Sequence, residues 1–220
     1  MRRALRLAHR GDWRDAPENS VAAMRAALAN PNCDGLEFDV RGSREGVPIV
    51  LHDETLARVQ GRPERHDELT VPDLNAVGIP TLAEVLEVAG PAPFLDVELK
   101  GEPVPAIVSV LELARGPGLD RAVVSSFEPE TLRWLHGERP AWPCWLNADE
   151  LTTETIDLAR DLGCRGISVE WPSLTSASVR LARRAGLEVA AWTVRRRPTV
   201  ARLERLGVVA ICVEAAALDG

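Results

Sequence analysis

Short apolar runs rich in β-branched residues alternate with longer stretches of helical periodicity along the whole chain of 220 residues. The predicted strands cover residues 5–9, 35–40, 94–100, 122–127, 144–148, 166–170, 188–194 and 208–214. The predicted helices cover residues 18–29, 81–89, 104–115, 129–138, 153–162, 176–185 and 198–206. This alternation predicts a parallel sheet covered by helices, either open and doubly wound or closed into a barrel.

Eight predicted strands without a central glycine-rich nucleotide loop favour the closed (β/α)8 TIM barrel of the α/β class. Little sequence follows the eighth strand, so we expect the last helix to be short or missing. A further short strand is predicted within residues 47–52. No shift of composition divides the chain, and we therefore expect a single domain spanning residues 1–220.

The composition disfavours several classes of protein. The chain carries 33 acidic and 26 basic residues, for a formal net charge of −7, whereas binding to a nucleic-acid backbone needs a basic surface. No run approaches the ~18 apolar residues of a membrane span, and the N-terminus lacks the apolar core of a signal peptide. We therefore expect a cytoplasmic protein without stable membrane anchoring and without nucleic acid. The oligomeric state stays open.

Carboxylates interrupt the apolar strand runs near their C-terminal ends, where barrel enzymes carry their functional groups. Glu37 and Asp39 lie two residues apart and so share one face of the second strand. Glu98 shares a face of the third strand with Asp96 and Lys100. Buried carboxylates need cations, and a divalent metal held by Glu37, Asp39 and Glu98 would supply them. Oxygen ligands favour Mg²⁺ or Ca²⁺, while a layer of carboxylates paired with arginines is the alternative.

Two histidines and the single lysine lie at the same predicted strand ends. His9 precedes Arg10 and His52 precedes Asp53, so the two imidazoles could divide general-base and general-acid work near neutral pH. Lys100 is the only lysine of the chain, and a flexible point charge suits a phosphate oxygen. Each of these residues could also be a satisfied structural group, but all of them are predicted at one end of one barrel.

Several segments, in order, resemble the glycerophosphodiester phosphodiesterase family of TIM-barrel phosphodiester hydrolases. The matching segments are AHRGD (8–12), APENS (16–20), GLEFDVRGSREGVPIVLHDETLARV (35–59), ELTVPDLNAVGIPTLAEVL (68–86), DVELKG (96–101), VSSFEPETLRWL (124–135) and AWTV (191–194). The resemblance implies metal-dependent hydrolysis of a small-molecule glycerophosphodiester to sn-glycerol 3-phosphate and an alcohol.

The resemblance also implies roles for individual residues. His9 and His52 correspond to the acid–base pair, and Glu37, Asp39 and Glu98 to the metal ligands. Arg10 and Lys100 correspond to phosphate contacts, while Trp192 borders the glycerol pocket with Phe127 nearby. Asn19, in the PEN segment, is expected to support the first histidine.

The chain departs from the family pattern at two places. Arg195 stands where the family usually has asparagine after the WTV strand, and residues 213–216 stand where it usually has Thr-Asp-x-Pro. Glu214 occupies the aspartate position of that segment. Both departures are expected to shape the substrate side rather than the metal side. They leave two alternatives: the same chemistry on another phosphodiester such as a lysophospholipid, or a non-catalytic member that binds a phosphorylated ligand.

Overall fold

Eight strands pair in parallel around a closed ring in the computed structural model, which describes residues 3–219. The strands are β1 (Leu5–His9), β2 (Gly35–Gly42), β3 (Pro48–Val50), β4 (Phe94–Leu99), β5 (Ala122–Ser126), β6 (Cys144–Ala148), β7 (Gly166–Glu170), β8 (Glu188–Val194) and β9 (Ala210–Val213). β1 pairs with both β2 and β9, and this double pairing closes the barrel. The predicted (β/α)8 barrel is confirmed.

The short strand β3 lies outside the ring. It pairs antiparallel with the end of β2, where Val40 faces Val50 and Gly42 faces Pro48. The predicted extra strand within residues 47–52 is therefore present, and the chain leaves it at the C-terminal end of the barrel. That exit brings His52 to the same end as the polar ends of β1, β2 and β4.

Helices cover the outside of the ring. They are α1 (Val21–Leu28), α2 (Ala57–Gln60), α3 (Val71–Asn75), α4 (Leu82–Ala89), α5 (Ala106–Arg115), α6 (Pro129–Glu138), α7 (Thr153–Asp161), α8 (Ser176–Arg184) and α9 (Arg197–Leu206). Short 3-10 turns span His66–Glu68, Trp171–Ser173 and Ala215–Ala217. Within residues 3–219, the turn at Ala215–Ala217 is the only helical structure after β9, which agrees with the prediction of a short or missing final helix. None of the helices described combines the length and apolar character needed to cross a membrane, and the cytoplasmic location stays a prediction.

The start of α1 differs from its prediction. Asn19 has a φ of 58°, which is incompatible with a right-handed helix, so the helix begins after Ser20 rather than at Glu18. The Ser20 hydroxyl accepts a hydrogen bond from the Ala23 amide at 3.2 Å and so satisfies one of the free donors of the first turn. The Asn19 side chain is thereby released to point into the barrel mouth.

The interior of the barrel has an apolar lower half and a polar upper half. Leu7, Val123, Trp145, Ala190 and Ala210 pack against one another at the N-terminal ends of the strands. The next inward positions on the same strands carry imidazole, hydroxyl, amide, indole and thiol groups, and the inward positions of β2 and β4 carry carboxylates, because strand side chains alternate between inside and outside. The apolar half closes the barrel from below, and the polar half forms a site at the C-terminal ends.

The backbone of β4 approaches Gly35 of β2 so closely that this position has no room for a side chain. A Cβ at this position would lie 2.0 Å from the Phe94 carbonyl oxygen, which is part of the neighbouring strand. We expect Gly35→Ala to destabilise the protein by about 3 kcal/mol, measured by urea unfolding, because β2 and β4 must separate. The control is Gly137→Ala on α6, where no atom lies within 4 Å of the new methyl group. That change should be neutral or stabilising by up to about 1 kcal/mol, and equal effects of the two would contradict the expectation.

Candidate active site

Three carboxylates predicted as metal ligands come together in the polar half of the barrel. The strand register places Asp39 of β2 directly beside Glu98 of β4, and Glu37 beside Asp96. One carboxylate oxygen from each of Glu37, Asp39 and Glu98 lies within 4.8 Å of the other two. All three side chains are buried, so their charges are removed from water and brought close together.

The negative charges of this cluster are balanced unevenly by nearby cations, and Asp39 has the most cationic partners. Asp39 lies 3.1 Å from Arg10 Nε and 3.5 Å from Lys100 Nζ, and it accepts a 2.9 Å hydrogen bond from Asn19 Nδ2. Burial raises the pKa of Asp39, but Arg10 and Lys100 outweigh it and hold that pKa below the ordinary value. Lys100 also contacts Glu98. Asp39 therefore has the ion pairs with cationic side chains that the alternative of a salt-bridged carboxylate layer predicts.

Glu37 is different, because no side-chain nitrogen of an arginine or lysine among residues 3–219 lies within 4.0 Å of its carboxylate. Its Oε2 accepts only a 3.2 Å hydrogen bond from the Arg10 amide, and its buried Oε1 has no hydrogen-bond partner. Burial and the neighbouring charges of Asp39 and Glu98 raise the pKa of Glu37 well above its ordinary value. Burial likewise raises the pKa of Asp96 and of Glu98 to about 7. The cluster is thus short of positive charge around Glu37, as expected of a site that takes a metal ion.

The two histidines approach this cluster from different parts of the chain. His9 ends β1, and its Nε2 lies 3.7 Å from Glu37 Oε2 while its Nδ1 lies 2.6 Å from Glu214 Oε1. His52 follows β3, and its Nδ1 lies 2.6 Å from Asp53 Oδ1. Burial lowers the pKa of His52, which keeps the ring largely neutral near pH 7. A neutral imidazole beside a charged cluster is able to accept a proton.

A cavity of about 290 Å³ opens at this end of the barrel. It is lined by His9, Arg10, Glu37, His52, Asp96, Glu98, Lys100, Phe127, Asn147, Ser168, Trp192, Thr193 and Cys212. Phe127 and Trp192 form one wall with their ring centroids 5.6 Å apart in an edge-to-face arrangement. The Trp192 indole donates to the Ser168 carbonyl oxygen at 3.1 Å, which fixes the orientation of its ring. The cavity therefore has a charged floor and an aromatic side wall.

A sequence model of the glycerophosphoryl diester phosphodiesterase family matches residues 9–218. The chain belongs to this family. It is 27% identical over 224 residues to the glycerophosphodiester phosphodiesterase of Caldanaerobacter subterraneus subsp. tengcongensis, covering 94% of this chain and 92% of that protein. The predicted enzyme class, a hydrolase of glycerophosphodiesters, is confirmed by this membership.

Solved structures of the family share the barrel. The glycerophosphodiester phosphodiesterase of Thermotoga maritima superposes with a TM-score of 0.83 at 24% identity, covering 100% of this chain and 97% of that one. An Oleispira antarctica phosphodiesterase, solved in complex with the product sn-glycerol-3-phosphate, gives a TM-score of 0.78 at 23% identity over 95% and 92% of the two chains. At these identities the likeness shows the fold.

All the predicted site residues meet at this one end of the barrel. Eight of the nine line the cavity, and Asp39 lies buried within contact distance of Arg10 and Lys100. The lining also includes strand residues that the sequence analysis did not assign to the site, among them Asp96, Asn147 and Ser168. Each of these three is a polar residue at an inward position of an otherwise apolar strand, so the alternation within those strands was the signal that could have found them.

One expectation about an individual residue is wrong. Asn19 hydrogen-bonds Asp39 rather than His9, because its positive φ turns the side chain toward β2. At the two departures from the family pattern, Glu214 contacts His9, and Arg195 Nε donates to Glu214 Oε2 at 2.7 Å; that they shape the substrate side stays a prediction. Barrel closure brings Glu214 to His9, because β9 pairs with β1, and Arg195 reaches Glu214 because β8 pairs with β9.

Proposed function

We propose that this chain hydrolyses glycerophosphodiesters to glycerol phosphate and an alcohol, with His9 and His52 as the acid–base pair. The observation that carries the proposal is the composition of the cavity at the C-terminal ends of the strands. It brings together two imidazoles, two cationic side chains and a buried carboxylate cluster, which are the groups that phosphoryl transfer uses.

Glu37, Asp39 and Glu98 are proposed to hold a divalent metal ion, Mg²⁺ or Ca²⁺. Three carboxylates form a donor set suited to a hard cation, and the unpartnered Glu37 Oε1 is an available ligand atom. Such an ion, when bound, offsets negative charge on the phosphate oxygens.

The remaining side chains are assigned by what each can do at its observed position. Arg10 and Lys100 present positive charge to the phosphate. One histidine takes the proton of the attacking oxygen, and the other gives a proton to the departing alcohol oxygen. The lowered pKa of His52 suits the accepting role. Phe127 and Trp192 are proposed to contact the carbon skeleton of the glycerol moiety, because they form the apolar wall beside Lys100.

The test is hydrolysis of sn-glycero-3-phosphocholine by the EDTA-treated protein with Mg²⁺, Ca²⁺ or Mn²⁺ added back. Release of glycerol phosphate that depends on the metal supports the proposal. Lysophosphatidylcholine and bis(4-nitrophenyl) phosphate are run in parallel. Turnover of one of these alone overturns the substrate assignment, and no turnover of any substrate with any metal overturns the proposed function.

Lys100 provides a sharper test of phosphate contact. We expect Lys100→Gln to lower kcat/KM for sn-glycero-3-phosphocholine by about 10²-fold, because one charged contact to the phosphate is lost in the transition state. The control is Arg133→Gln on the exposed face of α6, where the side chain pairs only with Glu130 among the residues described. A Lys100→Gln protein that keeps more than about half of the wild-type kcat/KM would remove Lys100 from the phosphate site.

A further inference from the structure

The contacts of His9 fix the direction of its ring. Nδ1 lies 2.6 Å from Glu214 Oε1, whereas Nε2 lies 3.7 Å from Glu37 Oε2. An ionised carboxylate can only accept a hydrogen bond, so the Nδ1 nitrogen carries the proton in this contact. In the neutral imidazole Nε2 is then the free nitrogen, and it faces the carboxylate cluster and the cavity.

Glu214 is itself held in place from its other side. Its carboxylate is buried directly after β9, and Arg195 Nε donates to Oε2 at 2.7 Å while His9 occupies Oε1. Burial raises the pKa of Glu214, but the hydrogen bonds from His9 and Arg195 outweigh it and lower that pKa below the ordinary value. The side chain therefore stays an acceptor for the Nδ1 proton across the neutral range.

The second histidine of the cavity shows the same arrangement, built from unrelated positions in the chain. His52 Nδ1 lies 2.6 Å from Asp53 Oδ1, and Arg58 Nε donates to Asp53 Oδ2 at 2.6 Å. In both cases one carboxylate oxygen faces an imidazole Nδ1 and the other accepts from an arginine Nε. The two sets of histidine, carboxylate and arginine come from different strands and loops. Because the same arrangement recurs without a shared backbone structure, it indicates a role in orienting the histidine.

We propose that Glu214 is a positioning residue that holds His9 in the Nδ1–H form with Nε2 directed at the carboxylate cluster, and that Arg195 fixes Glu214 in this role. The catalytic consequence rests on the proposed function of His9, whereas the tautomer and ring direction do not.

A purely structural alternative exists, because Glu214 and Arg195 also join the ends of β8 and β9. The backbone hydrogen bond from the Glu214 amide to the Val194 carbonyl oxygen, at 2.9 Å, already makes that connection and is kept in every side-chain variant.

The kinetic test compares Glu214→Gln, Glu214→Asp and Arg195→Gln on sn-glycero-3-phosphocholine with saturating Mg²⁺. The amide introduced by Glu214→Gln can donate to Nδ1 and so favour the wrong tautomer, and we expect kcat to fall about 10²-fold or more while KM changes less than about threefold. Glu214→Asp keeps an ionised acceptor and should recover kcat to within about tenfold of the wild type. Arg195→Gln should cost about threefold to tenfold, because one hydrogen bond to Glu214 is lost. The control, Arg196→Gln, removes an exposed neighbour in the same arginine run and should leave kcat unchanged.

The tautomer is read directly, without turnover, from long-range ¹H–¹⁵N NMR spectra of the histidine rings, with His9 assigned by its disappearance in His9→Gln. Wild type should show a protonated Nδ1 and a bare Nε2 for neutral His9, and Glu214→Gln should shift the population toward Nε2–H. An unchanged tautomer together with an unchanged kcat in Glu214→Gln overturns the proposal. So does a loss of activity that only parallels a loss of folded protein and is equal in the Glu214→Gln and Glu214→Asp proteins. A wild type that lacks turnover but shows the expected tautomers would refute the proposed function and leave the positioning role intact.

Discussion

Replacing either His9 or His52 by alanine is expected to lower kcat by about 10²–10⁴-fold, the range typical of a lost general acid or base. The folded state should be little affected, because the carboxylate that faces Nδ1 of each histidine keeps its arginine partner after the change. Glu214 retains Arg195 and Asp53 retains Arg58, so each of these two carboxylates keeps a counter-charge in both variants. The measurements are kcat on sn-glycero-3-phosphocholine and the melting temperature.

His136 supplies the matched control for these variants. It is exposed on α6, outside the cavity, so His136→Ala should change neither kcat nor the melting temperature appreciably. If His9→Ala or His52→Ala kept more than about a tenth of the wild-type kcat, that histidine would have no place in the acid–base pair.

Glu37→Gln is expected to abolish metal stabilisation while making the metal-free protein more stable. In the wild type, an ion at 100 times its dissociation constant should add about 2.7 kcal/mol to the free energy of unfolding. That corresponds to roughly 5–10 °C in melting temperature for a chain of this size. The variant lacks one ligand and should show little of this shift. In EDTA it should melt higher than the wild type, because the unpaired and buried charge of Glu37 is gone.

The pH dependence of this gain has a definite sign. The pKa of Glu37 is raised in the folded state above the ordinary value of 4.5, so Glu37 stabilises the fold fully below pH 4.5. That contribution is lost as the pH rises toward the folded-state pKa, because the unfolded chain releases its proton first. The glutamine side chain of the variant cannot ionise. The melting temperature of Glu37→Gln minus that of the wild type, in EDTA, should therefore be smallest at pH 4.5 and become increasingly positive as the pH rises to 8. The lowered pKa of His52 makes stability change with pH in the opposite direction. His52 is present in both proteins, so its contribution cancels when the two melting temperatures are subtracted.

Asp39→Asn separates this explanation from a general effect of removing a carboxylate. Arg10 and Lys100 hold the pKa of Asp39 below its ordinary value, and its loss removes one carboxylate partner from each cation, leaving Arg10 with Glu18 and Lys100 with Glu98. We expect the metal-free Asp39→Asn protein to be destabilised by up to about 3 kcal/mol. A metal-free Glu37→Gln protein that loses as much stability as Asp39→Asn, with a wild type that does not respond to metal, would end the metal hypothesis.

Much of the barrel was predictable because its strands and longer helices carry their own periodicity. All seven predicted helices exist, with bounds that differ by at most three residues, as at residues 104–115 against Ala106–Arg115. The helices that were missed, Ala57–Gln60 and Val71–Asn75, are four and five residues long and make too few turns for an apolar period to show. The late start of α1 depends on the positive φ of Asn19, whose side chain hydrogen-bonds Asp39 of β2, and no local period reveals a contact between these two segments.

The sequence by itself determined the alternation of strands and helices, and with it which polar side chains stand at the C-terminal strand ends. Local order is enough for this, since a period of two along a strand decides which residues share its inner face. Only the tertiary structure decided how those charges are compensated. Closure of the ring brings Glu214 to His9 across 205 positions of the chain, and it gives Asp39 two cations while leaving Glu37 with none among the residues described. The energetics of a buried charge depend on which side chains face it across the barrel, and no local pattern encodes that meeting.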